Sequence, residues 1–200
     1  MPLAQDPPYQ IWTASSSDIL VLATCLHLFD ESVVWLTSRG LSSQWGSEPL
    51  KNDPAHVKKV EKLIEQSTVL LATPVKSAFS SSQPGILGIC LFSSSHRCHP
   101  EVIPPASEPE YYIQAILTSR SSPSAKGLGS AFVAEVERMA REAGIGLIRL
   151  DCYAGGEKGE EGLVRVYEKM GFQKSGGLLD YYESGWMGQV MSRRVDVRRA

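Results

Sequence analysis

At 200 residues with 42% hydrophobic content, the chain is long enough to bury the core of one domain, expected to span residues 1–200. A formal net charge of -2 gives no electrostatic footprint for a phosphate backbone, so sequence-independent binding to DNA or RNA is disfavoured. No apolar stretch is expected to reach the length of a membrane span, and the opening Met1-Pro-Leu-Ala-Gln-Asp-Pro-Pro8 lacks the basic and apolar regions of a signal peptide.

Tyr9 to Thr13 reads as a first strand, followed by the capping cluster Ser15-Ser-Ser-Asp18. Ile19 to Arg39 reads as one long or broken helix: Leu22, Leu26, Phe29, Val33 and Leu36 keep a helical period, and Gly40 stops it. Pro54 starts a second helix through Val57, Val60 and Ile64. Thr68 to Thr73 and Gly85 to Phe92 read as apolar strands joined by a serine-rich hairpin loop, Val75 to Pro84. After a second loop rich in Ser and Pro comes a third apolar run, Tyr111 to Thr118. Gly146-Leu-Ile-Arg-Leu-Asp-Cys-Tyr153 reads as a buried strand. Leu163 to Phe172 is a short helix carrying Leu163, Tyr167 and Met170 at helical spacing, with Gly171 as a left-handed cap. The chain closes on a strand-like run, Trp186 to Val195, before a fraying Arg198-Arg-Ala200. Alternating strands and helices of this kind argue an α/β fold.

The stretch Ser124-Ala-Lys-Gly-Leu-Gly-Ser-Ala-Phe132 stands between a strand and an amphipathic helix. The unpaired N–H groups of a first helical turn, with about half a positive charge from the helix dipole, make an anion site from backbone alone. Gly127 and Gly129 put no side chain in the way of a phosphate. The spacing excludes a Walker loop, and Phe132 stands where a dinucleotide fingerprint needs its third glycine.

What remains resembles the pyrophosphate loop of the GNAT family of acyl-CoA-dependent N-acyltransferases, whose motif is Gln/Arg-x-x-Gly-x-Gly/Ala. Ser124-Ala-Lys-Gly-Leu-Gly129 meets it with Ser at the first position, so any contact made there by a long side chain is lost or replaced. Tyr167-Glu-Lys-Met-Gly-Phe172 resembles the family's second signature, and Leu150-Asp-Cys-Tyr-Ala154 before it is familiar from one branch. The resemblance covers roughly residues 68 to 176. It implies a mixed, mostly antiparallel central sheet flanked by helices, with acetyl-CoA as co-substrate. It places Lys126, Gly127, Leu128, Gly129 and Ser130 at the pyrophosphate. In the family the central strand splays from its neighbour at a bulge, which places Ile116, Leu117 and Thr118 along the pantetheine, one of them at the thioester oxygen, to within a residue or two. Tyr167 is placed as the acid that protonates the departing thiolate; outside this motif it would read as a half-buried aromatic of an amphipathic helix. A phenol near pKa 10 protonating a thiolate near 8.5 is uphill by about 2 kcal/mol, so the site must tune Tyr167 or water must supply the proton.

Gln44-Trp45 and Tyr153 are placed at the acceptor pocket by the same resemblance, although Trp45 equally serves as packing for the helix-to-helix turn. The family's frequent asparagine after the fifth strand is replaced by Gly156, inside Ala154-Gly-Gly-Glu-Lys-Gly-Glu-Glu-Gly162. Its three glutamates suit a solvated helix start. His96-Arg-Cys-His99 offers soft ligands, but zinc needs three or four and no second cluster complements it, so no metal is expected. Three of the four cysteines (25, 90, 98 and 152) lie in apolar segments, which fits a reducing, cytoplasmic compartment. Glu110 and Asp180 are candidates for a general base by position only. The reaction implied is direct transfer of acetyl to a primary amine of a small molecule, by a monomer or homodimer. A peptide acceptor is the first rival; an inactive CoA-binding or interaction protein is the second.

Overall fold

The computed structural model describes residues 7–42, 44–75, 85–95, 103–155, 162–181 and 186–197. The strands are β1 (Tyr9–Ala14), β2 (Thr68–Pro74), β3 (Gly88–Ser93), β4 (Glu110–Thr118), β5 (Leu147–Gly155), β6 (Gln173–Tyr181) and β7 (Trp186–Arg194). The helices are α1 (Ile19–Thr37), α2 (Pro54–Glu65), α3 (Leu128–Glu142) and α4 (Gly162–Lys169). One seven-stranded sheet runs in the order β1-β2-β3-β4-β5-β7-β6. Its neighbours are antiparallel except β4 and β5, which are parallel.

Strand alternation divides the core in two. Leu70, Ala72, Cys90 and Phe92 face α3 and α4, packing with Phe132, Val136 and Val164. Val69, Leu71, Ile89 and Leu91 face the other way, onto Val21, Cys25 and Leu28 of α1 and Val60 and Ile64 of α2. Both helices on that side begin as their sequences predict. Asp18 accepts from the Leu20 N–H at 2.9 Å. Asp53 accepts from the Ala55 N–H at 2.9 Å, with Pro54 in the first turn.

Several expectations need correction. Phe29, Val33 and Leu36 of α1 are buried as expected, but in its first two turns the stripe runs through Val21 and Cys25, one position earlier than Leu22 and Leu26, which only flank the core. Leu20–Thr37 is long and apolar enough, at a mean hydropathy of 1.4, to cross a membrane by length and composition, contrary to the sequence expectation. In this fold it is a core helix laid on the sheet: Asp30 lies 3.4 Å from Lys51, and Glu31 accepts hydrogen bonds from the Arg120 N–H and the Ser121 hydroxyl. β6 was not expected at all. Gln173-Lys-Ser-Gly-Gly has no alternation to read; the strand is an edge, paired only with β7 and bulged between Lys174 and Leu178. Asp180 sits on this strand, opposite Met187. The hairpin loop 76–84, the His96–His99 cluster, Gly156 and its neighbouring glutamates, and the last three residues lie outside the described residues. Among the described residues no cluster suits a metal ion.

Gly88 is the tightest point between sheet and helix. A Cβ there would stand 2.8 Å from the Leu117 carbonyl oxygen and 2.8 Å from Leu128 Cδ2, with Phe132 Cε2 at 3.1 Å. Gly88→Ala is expected to cost about 1–3 kcal/mol of stability, the range for overpacking a tight core, read as a lower urea midpoint at unchanged slope.

Candidate active site

β4 and β5 pair only from Glu110↔Leu147 to Ile113↔Leu150, and then they part. The cause lies on the opposite edge of β4. Leu91 pairs with Ala115 and Phe92 with Ile113, so Gln114 is an extra residue, a bulge that turns the rest of β4 away from β5. Gln114 is held there by donating from Nε2 to the Ser67 hydroxyl at 2.8 Å. Beyond the bulge, β4 still pairs with β3. The Ser119 N–H donates to the Leu87 carbonyl at 2.8 Å, and the Leu117 oxygen crowds Gly88. The strand period of two then commits the backbone of Leu117 to β3 and turns the N–H and C=O groups of Ile116 and Thr118 toward the gap. Of the three expected cofactor residues on this strand, Leu117 is thus a wall and the other two offer backbone.

The gap opens into a cleft of about 1020 Å³ that passes between the strands, bounded by α4 on one side and by α1 and α2 on the other. A shallower hollow of about 450 Å³ shares Trp35, Thr118, Arg120, Gly129 and Met170 with it and reaches Lys126, Gly127 and Ser130. Here a 3-10 turn, Pro123–Ala125, which contains Ser124, leads into Gly127 at φ 80° as the N-cap of α3. The left-handed φ explains that glycine. No side chain caps the helix, and its first backbone bond is Ala131 N–H to Gly127 C=O, so the N–H groups of Leu128, Gly129 and Ser130 have no partner within the helix. Leu128 contributes backbone only, because its side chain is fully buried under β3. Positive charge surrounds the turn. Arg39 and Arg120 each lie over the Trp35 ring, at 4.4 and 4.5 Å from its centre. Burial and neighbouring Arg39 lower the Arg120 pKa, partly offset by Glu31 and Tyr167. The uncapped turn, the cations and the open strand edge together fit an acyl-CoA: phosphates at one end and a pantetheine amide chain along the other.

Tyr167 reaches the cleft from α4. The helix ends in a left-handed glycine turn: the Gly171 N–H donates to Glu168 C=O at 2.9 Å and the Phe172 N–H to Tyr167 C=O at 3.0 Å, with Gly171 at φ 85°. Arg193 of β7 then locks the end in place, donating to the Met170 carbonyl at 2.6 Å and to Glu137 of α3 at 2.6 Å. The Tyr167 ring meets Phe172 edge-on at 5.8 Å, and among the described residues its hydroxyl has no hydrogen-bond partner. Burial pushes the Tyr167 phenol well above the ordinary tyrosine range, reinforced by Cys152, Cys90 and Asp151. The same surroundings push the Cys152 thiol up to about 12, burial first and Asp151 second. Cys152 is therefore a neutral wall residue, not a nucleophile.

On the other face, Trp45 stacks edge-on against Phe29 at 5.3 Å, and Phe29 against His56 at 5.4 Å. Trp186 Nε1 donates to the Gln44 carbonyl at 3.0 Å, and its ring lies 5.5 Å from Tyr153. Gln44, Trp45 and Tyr153 therefore share the cleft, and Trp45 both packs the turn and lines the chamber. The two carboxylates proposed as bases do not. Glu110, 2% exposed, lies 3.3 Å from Arg149 where β4 and β5 are still paired. Asp180 is on the β6 edge. Among the described residues the carboxylate in the cleft is Asp151, which accepts from the Tyr112 hydroxyl at 2.6 Å. Trp35, Arg120, His56 and Trp186 also line the cleft without a sequence signal of their own. Each lies outside the two motifs, and only the packing of α1, α2 and β7 around the gap brings them in.

No family model matches the chain, and no curated protein matches its sequence. Solved structures do match. An acetyltransferase of the GNAT family from Listeria monocytogenes superposes at a TM-score of 0.59, 21% identical, covering 94% of this chain and 95% of that one. A putative acetyltransferase from Salmonella typhimurium, solved with its cofactor acetyl-CoA, gives a TM-score of 0.56 at 13% identity over 96% and 97%. The PaiA N-acetyltransferase of Thermoplasma acidophilum, in complex with coenzyme A, gives 0.58 at 17% over 93% and 98%. The chain has the GNAT fold. In this GNAT fold Gly129 and Tyr167 line one cleft, and Gly127 lines the hollow that adjoins it.

A Cβ on Gly129 would meet only Met170 Cε at 3.9 Å and Ile116 Cγ2 at 4.0 Å, ordinary contacts. Gly129→Ala is accordingly expected to leave the GNAT fold as stable, or up to about 1 kcal/mol more so through helix propensity. Gly129→Leu should fill the mouth between the two hollows, with melting temperature retained and CoA affinity down at least about tenfold by calorimetry, a loss of about 1.4 kcal/mol.

Proposed function

We propose that the protein is an acetyl-CoA-dependent N-acetyltransferase that passes the acetyl group directly to a primary amine of a small molecule. The observation that carries this reading is the gap between β4 and β5, with the open backbone of Ile116 and Thr118, the uncapped start of α3 and the Tyr167 hydroxyl all on its walls.

The chemistry follows from those groups. The thioester lies along β4, where an N–H of Ile116 or Thr118 holds the carbonyl oxygen as negative charge develops. The neutral amine enters from the α1–α2 side and its nitrogen attacks the carbonyl carbon. The C–N bond forms and the nitrogen, now cationic, gives up one proton to solvent; the C–S bond breaks, and the thiolate takes a proton from Tyr167, which recovers one from solvent. Burial raises Tyr167, which alone would steepen the proton transfer. A thiolate leaving into the same surroundings is raised in the same way, as the buried Cys152 thiol shows. The two shifts offset, and the gap of about 2 kcal/mol between phenol and thiol need not widen. No covalent acyl-enzyme is needed. The Trp186–Gln44 hydrogen bond ties β7 to the α1–α2 turn across the acceptor side, which favours a small molecule over a long peptide.

Tyr167→Phe is expected to lower kcat about 10²-fold or more while CoA affinity stays within about twofold, the pattern of a lost general acid. A protein that only binds CoA has no turnover to lose. The pH profile carries a second check. A phenol pKa raised above its ordinary value keeps its proton throughout the range below pH 10. The rate should therefore climb as the amine loses its proton, with no alkaline fall from Tyr167 in that range.

A further inference from the structure

The acceptor side of the cleft has a composition that narrows its occupant. Its walls are Phe29, Trp45, Leu50, Val60, Leu63 and Trp186, all apolar or aromatic. The rings stand in two groups, Phe29 edge to face against both Trp45 and His56, and Trp186 tilted against Tyr153, joined by the Trp186 hydrogen bond to the Gln44 carbonyl beside Trp45. The charges that line the cleft among the described residues are Lys59, Arg120, Arg165 and Asp151. Lys59 of α2 stands on the acceptor side, Arg120 by the turn before α3 and Arg165 on α4, and the one carboxylate among them accepts from the Tyr112 hydroxyl at 2.6 Å. His56 adds no counter-charge. Burial, with Lys59 next, lowers its pKa and so keeps it neutral. Its Nε2 is buried with no partner among the described residues, a polar point beside the aromatic wall, which Ser32, Gln44 and Lys59 also edge.

A ligand with several ammonium groups would lose their hydration here and meet cations in exchange, the least favourable pairing. A ligand with one amino group on an apolar body meets the reverse conditions. Its body covers the aromatic wall, and the apolar, cation-lined surroundings lower the pKa of its amine toward the neutral form that attacks. That last effect removes the need for a dedicated base, which the site does not otherwise display among the described residues.

Resting on the acetyltransferase reading above, we propose that the acceptor is a monoamine carried on an apolar aryl or alkyl body, seated between α1, α2 and the start of β7, and that polycationic amines are rejected. The neighbouring folds include an aminoglycoside 6'-acetyltransferase, so the fold itself does not impose this choice; the lining does.

The test uses 2-phenylethylamine and tryptamine against spermidine and kanamycin, each in a thiol-release assay with acetyl-CoA and in calorimetric titration of the CoA-loaded protein. The expected result is kcat/KM at least tenfold higher for the two aryl amines, with Trp45→Ala raising their KM about tenfold and leaving the KM for acetyl-CoA unmoved. Lys59→Glu, a change at an exposed position, is expected to raise activity toward spermidine relative to phenylethylamine. Preferred turnover of spermidine or kanamycin, or a Lys59→Glu variant with unaltered selectivity, overturns the acceptor assignment while leaving the transferase standing. Aryl amines that bind, lose affinity in Trp45→Ala and are never acetylated support the assignment and sink the transferase. Aryl amines that neither bind nor react overturn the assignment.

Discussion

One extra residue in a ladder, Gln114, organises this molecule. Without it β4 would run in register with β3 on one side and β5 on the other, and every backbone group would be paired. With it, the parallel pairing of β4 and β5 stops at Ile113 and Leu150, and the sheet opens in its middle. A buried strand that gives up ladder bonds loses free energy unless its N–H and C=O groups find other partners. In the proposed function the extended amide chain of a pantetheine is that partner, and the groups of Ile116 and Thr118 lie at the spacing of two that an added strand needs. The cleft is in this sense an unfinished sheet.

The rest of the structure fixes what surrounds that opening. Gly88 lets α3 approach the sheet closely enough for its first turn to stand at the mouth of the gap. Arg193 reaches from β7 to the end of α4 and to Glu137 of α3, so the helix with Tyr167 and the helix with the anion turn are held by one guanidinium. Its two partners, a carbonyl and a carboxylate, suit the fixed fork of an arginine, and a lysine offers no equivalent geometry. On the opposite face, Glu31 accepts from the Arg120 N–H and the Ser121 hydroxyl, fastening the strand-to-helix turn to α1. Burial alone would raise the Glu31 pKa, but these bonds and the nearby His27 bring it below the usual range, so the fastening is present at neutral pH.

How much of this was legible in the sequence depended on whether a residue acts through local chain geometry. Gly127, Gly129 and Gly171 were readable because a helix start and a left-handed cap are properties of a few adjacent residues, and the positive φ at Gly127 and Gly171 bears this out. Tyr167 was readable because it sits inside such a local motif. A bulge in this strand follows from the family resemblance, but its position at Gln114 was not readable from the residues, since a bulge is defined by the partner strand, and Gln114 looks ordinary within Tyr111 to Thr118. The same holds for Asp151. Its neighbours mark a buried strand, but only the parting of β4 and β5 puts it in a cleft rather than under a ladder. Glu110 misled for the opposite reason: its place at the strand start is real, but Arg149 across the paired end of the gap holds it. β6, with two glycines and no alternation, is made a strand by β7 rather than by its own sequence.

The most direct test is backbone amide hydrogen exchange, resolved residue by residue, with and without CoA. Added CoA should slow exchange at Ile116 and Thr118 and across Leu128 to Ser130, while Ala115 and Leu117, already bonded to β3, remain unchanged. Slowing that is uniform along β4, or that misses it and falls elsewhere on the sheet, would contradict the account: the opening would then not be where the cofactor is held.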